Sequence, residues 1–329
     1  MWTSLDEIDR RLLDGWQRDL PLVPRPFAGI GDALGIGEAE VLDRLARLHE
    51  AGAISRVGGT CRPNAVGAST LAAVAAPGSR IEEVAAAIGA IAGVNHSYLR
   101  EDDWNIWFVA TGPDRVHVAA GLTEIRRRTG LRVLDCPLVR PFNVDLGFPL
   151  MEASRPVPPP CRQDPGALEA GDRPILAALT AGLPLSASPF GVLAERLGRT
   201  ERAILARLRR LLDAGIVSRL GVIVRHRALG WRSNAMTVWQ IAPADAARIG
   251  PALARQPGIT LCYQRRPVPD VWPYTLYCMV HARSRTDALA ILDRAARAVG
   301  LGQTPRRALF SVRCFKQTGA MVARGEERA

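Results

Sequence analysis

The apolar positions of this 329-residue chain first recur at helical spacing. IDRRLLDGW, from Ile8, repeats its apolar residues one turn apart, and GIGDALG at 29–35 interrupts the pattern. EAEVLDRLARLHEAG restores the 3.6-residue period from Glu38, with Gly52 placed as a helix stop. AISRVGGTCRP then reads as a short wing. The order is helix, helix-turn-helix, wing. Strands are expected next near 69–76, 94–99, 104–110 and 131–142, with helices near 81–92 and 113–129. That is the β-α-β-β-α-β order of a ferredoxin-like domain.

The pattern then starts again. LPLVPRPF at 20–27 matches LPLSASPF at 183–190, and AGAISRVG at 51–58 matches AGIVSRLG at 214–221, both 163 residues apart. GVNHSYLR at 93–100 matches GITLCYQR at 258–265, and RPF at 140–142 matches RCF at 313–315. A proline-dense stretch without periodicity, Pro149 to Gly171, separates the copies and reads as a linker. The chain is therefore read as an α+β tandem repeat. Winged helix-turn-helix domains are expected over 1–66 and 172–229, and ferredoxin-like domains over 67–148 and 230–322.

Charge divides along the same line. Residues 1–150 hold 16 Arg against 19 Asp and Glu, a net −3, and the remainder nets +14. A basic half suits either DNA or a small polyanion. The first candidate recognition helix carries Glu38, Glu40 and Asp43, which oppose phosphate contact, so DNA is not the expected partner. The second, RTERAILARLRRLLDAG, is far more basic, through a solvated face, an interface or a DNA contact. No apolar run is long enough for a membrane helix and no signal peptide opens the chain, so a cytoplasmic protein is expected. The six cysteines lack C-x-x-C spacing, which fits a reduced compartment. Phosphate-binding glycine motifs, a G-x-S-x-G elbow and H-E-x-x-H are all absent.

The helix-turn-helix followed by β-α-β-β-α-β, with LDEIDRRLL and AGAISR, resembles the Lrp/AsnC family. LPLVPRPFAGIGDALG, NHSYLREDDWNIWF, RHRALGWRSNAMTVW and WPYTLYCMVH are similar to siroheme decarboxylases, a branch with the same fold. The resemblance spans nearly the whole chain and includes the form in which two related subunits are fused. It implies loss of CO₂ from two acetates of siroheme, at C12 and C18, giving 12,18-didecarboxysiroheme, which feeds either haem d1 synthesis or the alternative haem route, and the fused form resembles the haem d1 version more closely. It also implies that the two halves pair as a pseudo-dimer, with further homo-oligomers open. No added cofactor and no protein-bound metal are expected, since the iron belongs to the substrate.

The residues can be read against that chemistry. All four tyrosines, Tyr98, Tyr263, Tyr274 and Tyr277, fall in the two equivalent hairpins with Trp104, Trp107 and Trp272. Aromatics pair across hairpin strands for packing alone, but they also wall a pocket for a flat macrocycle. Siroheme carries eight carboxylates, which call for arginines. Arg100 and Arg265 are repeat-equivalent in the hairpins, and Arg56 and Arg219 at the wings, with Arg225 just beyond. The histidines break the symmetry: the repeat equivalent of His96 is Leu261, and that of His226 is Pro63. Loss of CO₂ leaves a carbanion-like methylene that must be protonated, and histidine has the best-matched pKa. His96 and His226 are the candidate proton donors, with Tyr98 and Tyr263 assisting, and His281 ranks third. Either histidine could instead ligate the substrate iron. The competing functions are a regulator that senses a tetrapyrrole or another small ligand and a non-catalytic carrier.

Overall fold

The computed structural model describes residues 2–144, 147, 149–151 and 164–321. Most of the expected linker and Cys161 lie outside them. The chain forms two compact units, one of Met1–Val66 with Gly147–Gly230 and one of Gly67–Leu146 with Trp231–Ala329. Among the described residues no helix is long and apolar enough to cross a membrane.

The first unit holds both helix-turn-helix copies. In the first copy α1 is Glu7–Gly15, α2 Pro26–Leu34 and α3 Glu38–Glu50; in the second α6 is Asp172–Ala181, α7 Pro189–Arg196 and α8 Glu201–Asp213. The Asp6 and Thr200 side chains cap α1 and α8 by accepting from Asp9 N and Ala203 N. Leu12, Leu13, Phe27, Ile30, Val41 and Leu45 are fully buried, as the helical period required. The GIGDALG interruption is corrected: those residues lie within and just beyond α2. The helix starts on Pro26 and ends on Gly35, whose φ of 73° makes it a left-handed cap. Gly31 persists inside it because a Cβ there would meet Ile36 O at 2.6 Å.

The expected wing strand pairs across the repeat. Strand β1, Ile54–Cys61, pairs antiparallel with its repeat counterpart β6, Val217–Val224, with Gly58 opposite Gly221. The segment before each α2 or α7 also crosses to the other copy: Leu20 N donates to Leu220 O, and Leu183 N to Val57 O. The copies thus satisfy each other's backbone groups.

A repeated ion cluster ties α3 to α1 and α8 to α6. Arg44 pairs with Asp6 and Asp9, while Arg207 pairs with Glu169 and Asp172. The Asp172 side chain is only 1% exposed. Burial pushes its pKa up, but hydrogen bonds from Arg207 and the Glu169 N–H outweigh that and hold it below 3.8. Removing the cation leaves a buried charge, so Arg207→Ala is expected to cost about 3–5 kcal/mol in denaturant unfolding. With its pKa depressed in the fold, Asp172 stabilises above the unfolded value near 3.8 and loses that stabilisation as pH falls through the lower folded value. The acid transition of Arg207→Ala should therefore begin at higher pH than that of the native chain.

The second unit is an eight-stranded closed barrel made from both ferredoxin-like copies. The first contributes β2 (Ala68–Val74), α4 (Ile81–Gly89), β3 (Val94–Arg100), β4 (Ile106–Gly112), α5 (Arg115–Thr129) and β5 (Val133–Asn143). The second contributes β7 (Ser233–Trp239), α9 (Pro243–Ala254), β8 (Ile259–Arg265), β9 (Leu276–Ala282), α10 (Arg285–Ala298) and β10 (Arg306–Gln317). Strand order around the barrel is β10-β3-β4-β2-β5-β8-β9-β7. The first part of β5 pairs with β2 and its last part with β8; β10 divides in the same way between β7 and β3. The halves therefore pair through their sheets.

Strand alternation sorts the side chains into three cores. Ile106, Phe108 and Ala110 point to α4 and α5. Cys262, Cys278 and Val280 belong to the core under α9 and α10. The intervening residues, among them Trp107, Tyr263, Tyr277 and Met279, fill the barrel interior. Eight strands leave an interior that side chains can fill.

Candidate functional site

Of the candidates, His96, Tyr98 and Arg100 lie on β3 and Tyr263 and Arg265 on β8, strands that occupy equivalent positions in the two copies. On β3, His96 sits opposite Val109 and Tyr98 opposite Trp107, which places His96, Tyr98 and Arg100 on the inward face. On β8, Leu261 sits opposite Met279 and Tyr263 opposite Tyr277, so Leu261, Tyr263 and Arg265 form the matching inward row. The His96 and Tyr98 rings lie parallel, 6.5 Å apart. Arg100 lies 5.5 Å from the Tyr98 ring and Arg265 4.6 Å from the Tyr263 ring, both within cation–π range.

The two arginines are anchored alike. Arg100 Nη1 donates to Leu309 O at 3.0 Å, and Arg265 Nη1 to Cys136 O at 2.7 Å. Leu309 and Cys136 are themselves repeat-equivalent. Each guanidinium also has a buried Nε–H that no acceptor among the described residues engages. Arg100 is 6% exposed, and burial lowers its pKa, though a guanidinium stays charged. Tyr263 is also buried, which raises its phenol pKa despite the nearby charges of Arg265 and Arg100. It stays a neutral hydrogen-bond donor at ordinary pH.

The tryptophans divide. Trp107 and Trp272 are each 1% exposed and pack together with ring centroids 5.1 Å apart. Trp272 Nε1 donates to Tyr277 Oη at 2.8 Å, and Tyr274 meets Trp272 edge-on at 4.7 Å. Trp107 and Trp272 are thus barrel core, holding the wall that carries the arginines. Trp104, at the β3–β4 hairpin tip, is partly exposed and accepts from Trp107 Nε1 through its carbonyl.

The remaining candidates belong to the first unit. Arg56 and Arg219 sit on the paired strands β1 and β6; Arg219 is 5% exposed. Burial, and then the charge of Arg219, pushes the Arg56 pKa down to about 10. His226 and Arg225 follow β6, with His226 half-buried and Arg225 exposed. The barrel thus gathers His96, Tyr98, Arg100, Tyr263, Arg265 and the aromatics, while His226, Arg56, Arg219 and Arg225 belong to the other unit.

Sequence reading missed Asn234. It lies on β7 opposite His281 of β9, and the two side chains are hydrogen-bonded. His281 was a third-ranked candidate, and only the β7–β9 register brings Asn234 to it.

Comparisons with known proteins agree with this architecture. The profile of the AsnC-like ligand binding domain matches residues 65–140 and 228–316. That of the siroheme decarboxylase NirDL-like HTH domain matches 9–54 and 172–217. The siroheme decarboxylase NirDL subunit of Paracoccus denitrificans (strain Pd 1222) is 52% identical over 97% of this chain and 98% of its own. The siroheme decarboxylase NirD subunit of Stutzerimonas stutzeri is 48% identical, covering 46% of this chain and 99% of its own. A crystal structure of the siroheme decarboxylase NirDL in co-complex with an iron-uroporphyrin III analogue superposes with a TM-score of 0.65 at 26% identity, covering 96% of this chain and 94% of that one. With both copies matched by family profiles and a relative matched end to end, the chain belongs to the siroheme decarboxylase family.

Proposed function

We propose that this chain removes CO₂ from the C12 and C18 acetates of siroheme, giving 12,18-didecarboxysiroheme for haem d1 synthesis. The observation that carries the reading is the end-to-end likeness to siroheme decarboxylases. The barrel geometry supports it, with two equivalent arginines held against two equivalent tyrosines.

Each turnover converts a ring-CH₂-COO⁻ and one proton into a ring-CH₃ and CO₂. The C–C bond breaks, its electron pair enters the macrocycle, and a proton closes the new methyl. The macrocycle supplies the delocalisation, so the reading calls for no further cofactor. His96, on the inward face of β3 with Tyr98 beside it, is the first proposed proton donor, and His226 is the second. Tyr263 assists as a neutral donor. Arg100 and Arg265 grip non-reacting carboxylates. Their anchored Nη1 atoms fix orientation, and a carboxylate at Nε would relieve a buried unsatisfied donor. Arg56, Arg219 and Arg225 add cations in the other unit. Trp104 and Tyr274 offer ring surface, with Trp107 and Trp272 supporting them.

The described cysteines are all free thiols. That fits a reducing compartment, and we place the enzyme in the cytoplasm.

One observation favours a second reading. Arg202, Arg209 and Arg210 are exposed on α8, as a DNA-reading helix would require. Against it, Arg25 pairs with Glu38 at the start of α3 in the other copy, consuming charge where a phosphate would sit. The test is anaerobic turnover with siroheme followed by NMR of the product, beside a duplex-DNA retardation assay. New methyls at C12 and C18 without DNA retention support the enzyme. Salt-sensitive DNA binding without new methyls supports the regulator.

A further inference from the structure

Arg100 is backed by a line of side chains that Arg265 lacks. Besides Leu309 O, its Nη1 donates to Asn234 Oδ1 at 3.2 Å. The amide nitrogen of Asn234 lies 2.6 Å from His281 Nε2, and His281 Nδ1 lies 2.8 Å from Thr260 Oγ1. Thr260 Oγ1 donates its only proton to Met279 O at 3.0 Å. These contacts fix every direction. Thr260 must accept from His281, so Nδ1 carries the imidazole proton and Nε2 is an acceptor. Nε2 then receives the Asn234 amide N–H, which turns Oδ1 toward Arg100. Protonating Nε2 would set two donors face to face. Burial and the charge of Arg100 keep that from happening, pushing the His281 pKa down to about 3.

In the other copy the equivalent ladder positions carry different side chains. The ladder position of Asn234 opposite His281 is occupied there by Ser69 opposite Thr111. Thr111 Oγ1 donates to Gly93 O at 2.9 Å, and Arg265 has the carbonyl of Cys136 as its anchor. The two arginine ends of the barrel are alike in placement and unlike in support.

We propose that Asn234 and His281 are positioning residues that hold Arg100 in the orientation for one substrate carboxylate, making the Arg100 end the more firmly set of the two grips. This rests on the siroheme reading above. It also makes His281 an anchor rather than a proton donor. Its neutral Nδ1–H is committed to Thr260, and its Nε2 has no proton to give.

A double-mutant cycle on the full-length protein tests this, read by anaerobic titration of siroheme absorbance. Asn234→Ala is expected to weaken binding about 10-fold. In the Arg100→Ala background the same change should cost less than about 2-fold, because Asn234 acts through Arg100. His281→Gln keeps an acceptor for the Asn234 amide and should stay within about 3-fold of native affinity, whereas His281→Leu should lose about 10-fold. If Arg100→Ala does not fold by near-ultraviolet circular dichroism, Arg100→Lys serves as the background, since lysine lacks the fork Asn234 orients. Equal costs of Asn234→Ala in both backgrounds, or equal losses for His281→Gln and His281→Leu, overturn the positioning role and leave the siroheme reading intact. Failure of the native protein to bind siroheme overturns both.

Discussion

Arg100→Ala should weaken siroheme binding and kcat/KM by about 10²–10³-fold, because it removes a buried, pre-oriented cation that water cannot replace. Arg100 is 6% exposed, anchored to Leu309 O, and set against the Tyr98 ring. Its loss also takes from Asn234 Oδ1 the donor that Arg100 Nη1 supplies. Arg265→Ala should act in the same direction by a smaller factor, since among the described residues its guanidinium hydrogen-bonds a wall carbonyl and no side chain. Lysine at either position keeps the charge but not the two-pronged grip, so it should recover only part of the loss. Absorbance titration and initial rates measure both. Native affinity in Arg100→Ala with an intact fold would remove the carboxylate grip from the account.

The second large effect concerns the proton. His96→Ala should lower kcat by about 10²–10⁴-fold while siroheme still binds, the signature of a lost general acid. His96 lies on the inward face of β3, its ring parallel to that of Tyr98, and the equivalent position on β8 is Leu261. Of the two equivalent strands, β3 alone therefore carries a histidine at this position. His226→Ala, in the other unit, should lower kcat as well if each histidine serves one acetate, and a monodecarboxylated product should then accumulate in one variant or the other. An axial iron ligand would behave differently: its removal would shift the siroheme spectrum and the binding constant together. Rates and spectra recorded on the same samples separate the two roles.

Much of this was legible before any coordinates. Doubling made it so, because each weak signal occurs twice at a near-constant offset. The β-α-β-β-α-β order and the equivalence of Arg100 with Arg265 both came from that. Partner choice was not legible. Nothing local in AISRVGGTCRP says that its strand pairs with a segment more than 150 residues away, and nothing in RPF or RCF says that β5 and β10 are each shared between two sheets. Those are long-range registers, set by which faces must be buried together. Helix α2 was misread because glycine is a poor helix former in isolation, and the tight approach that requires Gly31 is tertiary. Trp107 and Trp272 were placed in the right hairpins, but their depth in the barrel follows from closure of the strands. Asn234 had no signal of its own. Its role depends on the β7–β9 register, which brings it to His281.

The measurement that tests the central claim most directly is anaerobic incubation of the purified chain with siroheme, followed by mass spectrometry of the tetrapyrrole. The account predicts loss of two CO₂ units at a rate that Arg100→Ala and His96→Ala both lower. Siroheme recovered bound but unchanged, under conditions where the protein is folded, would contradict it.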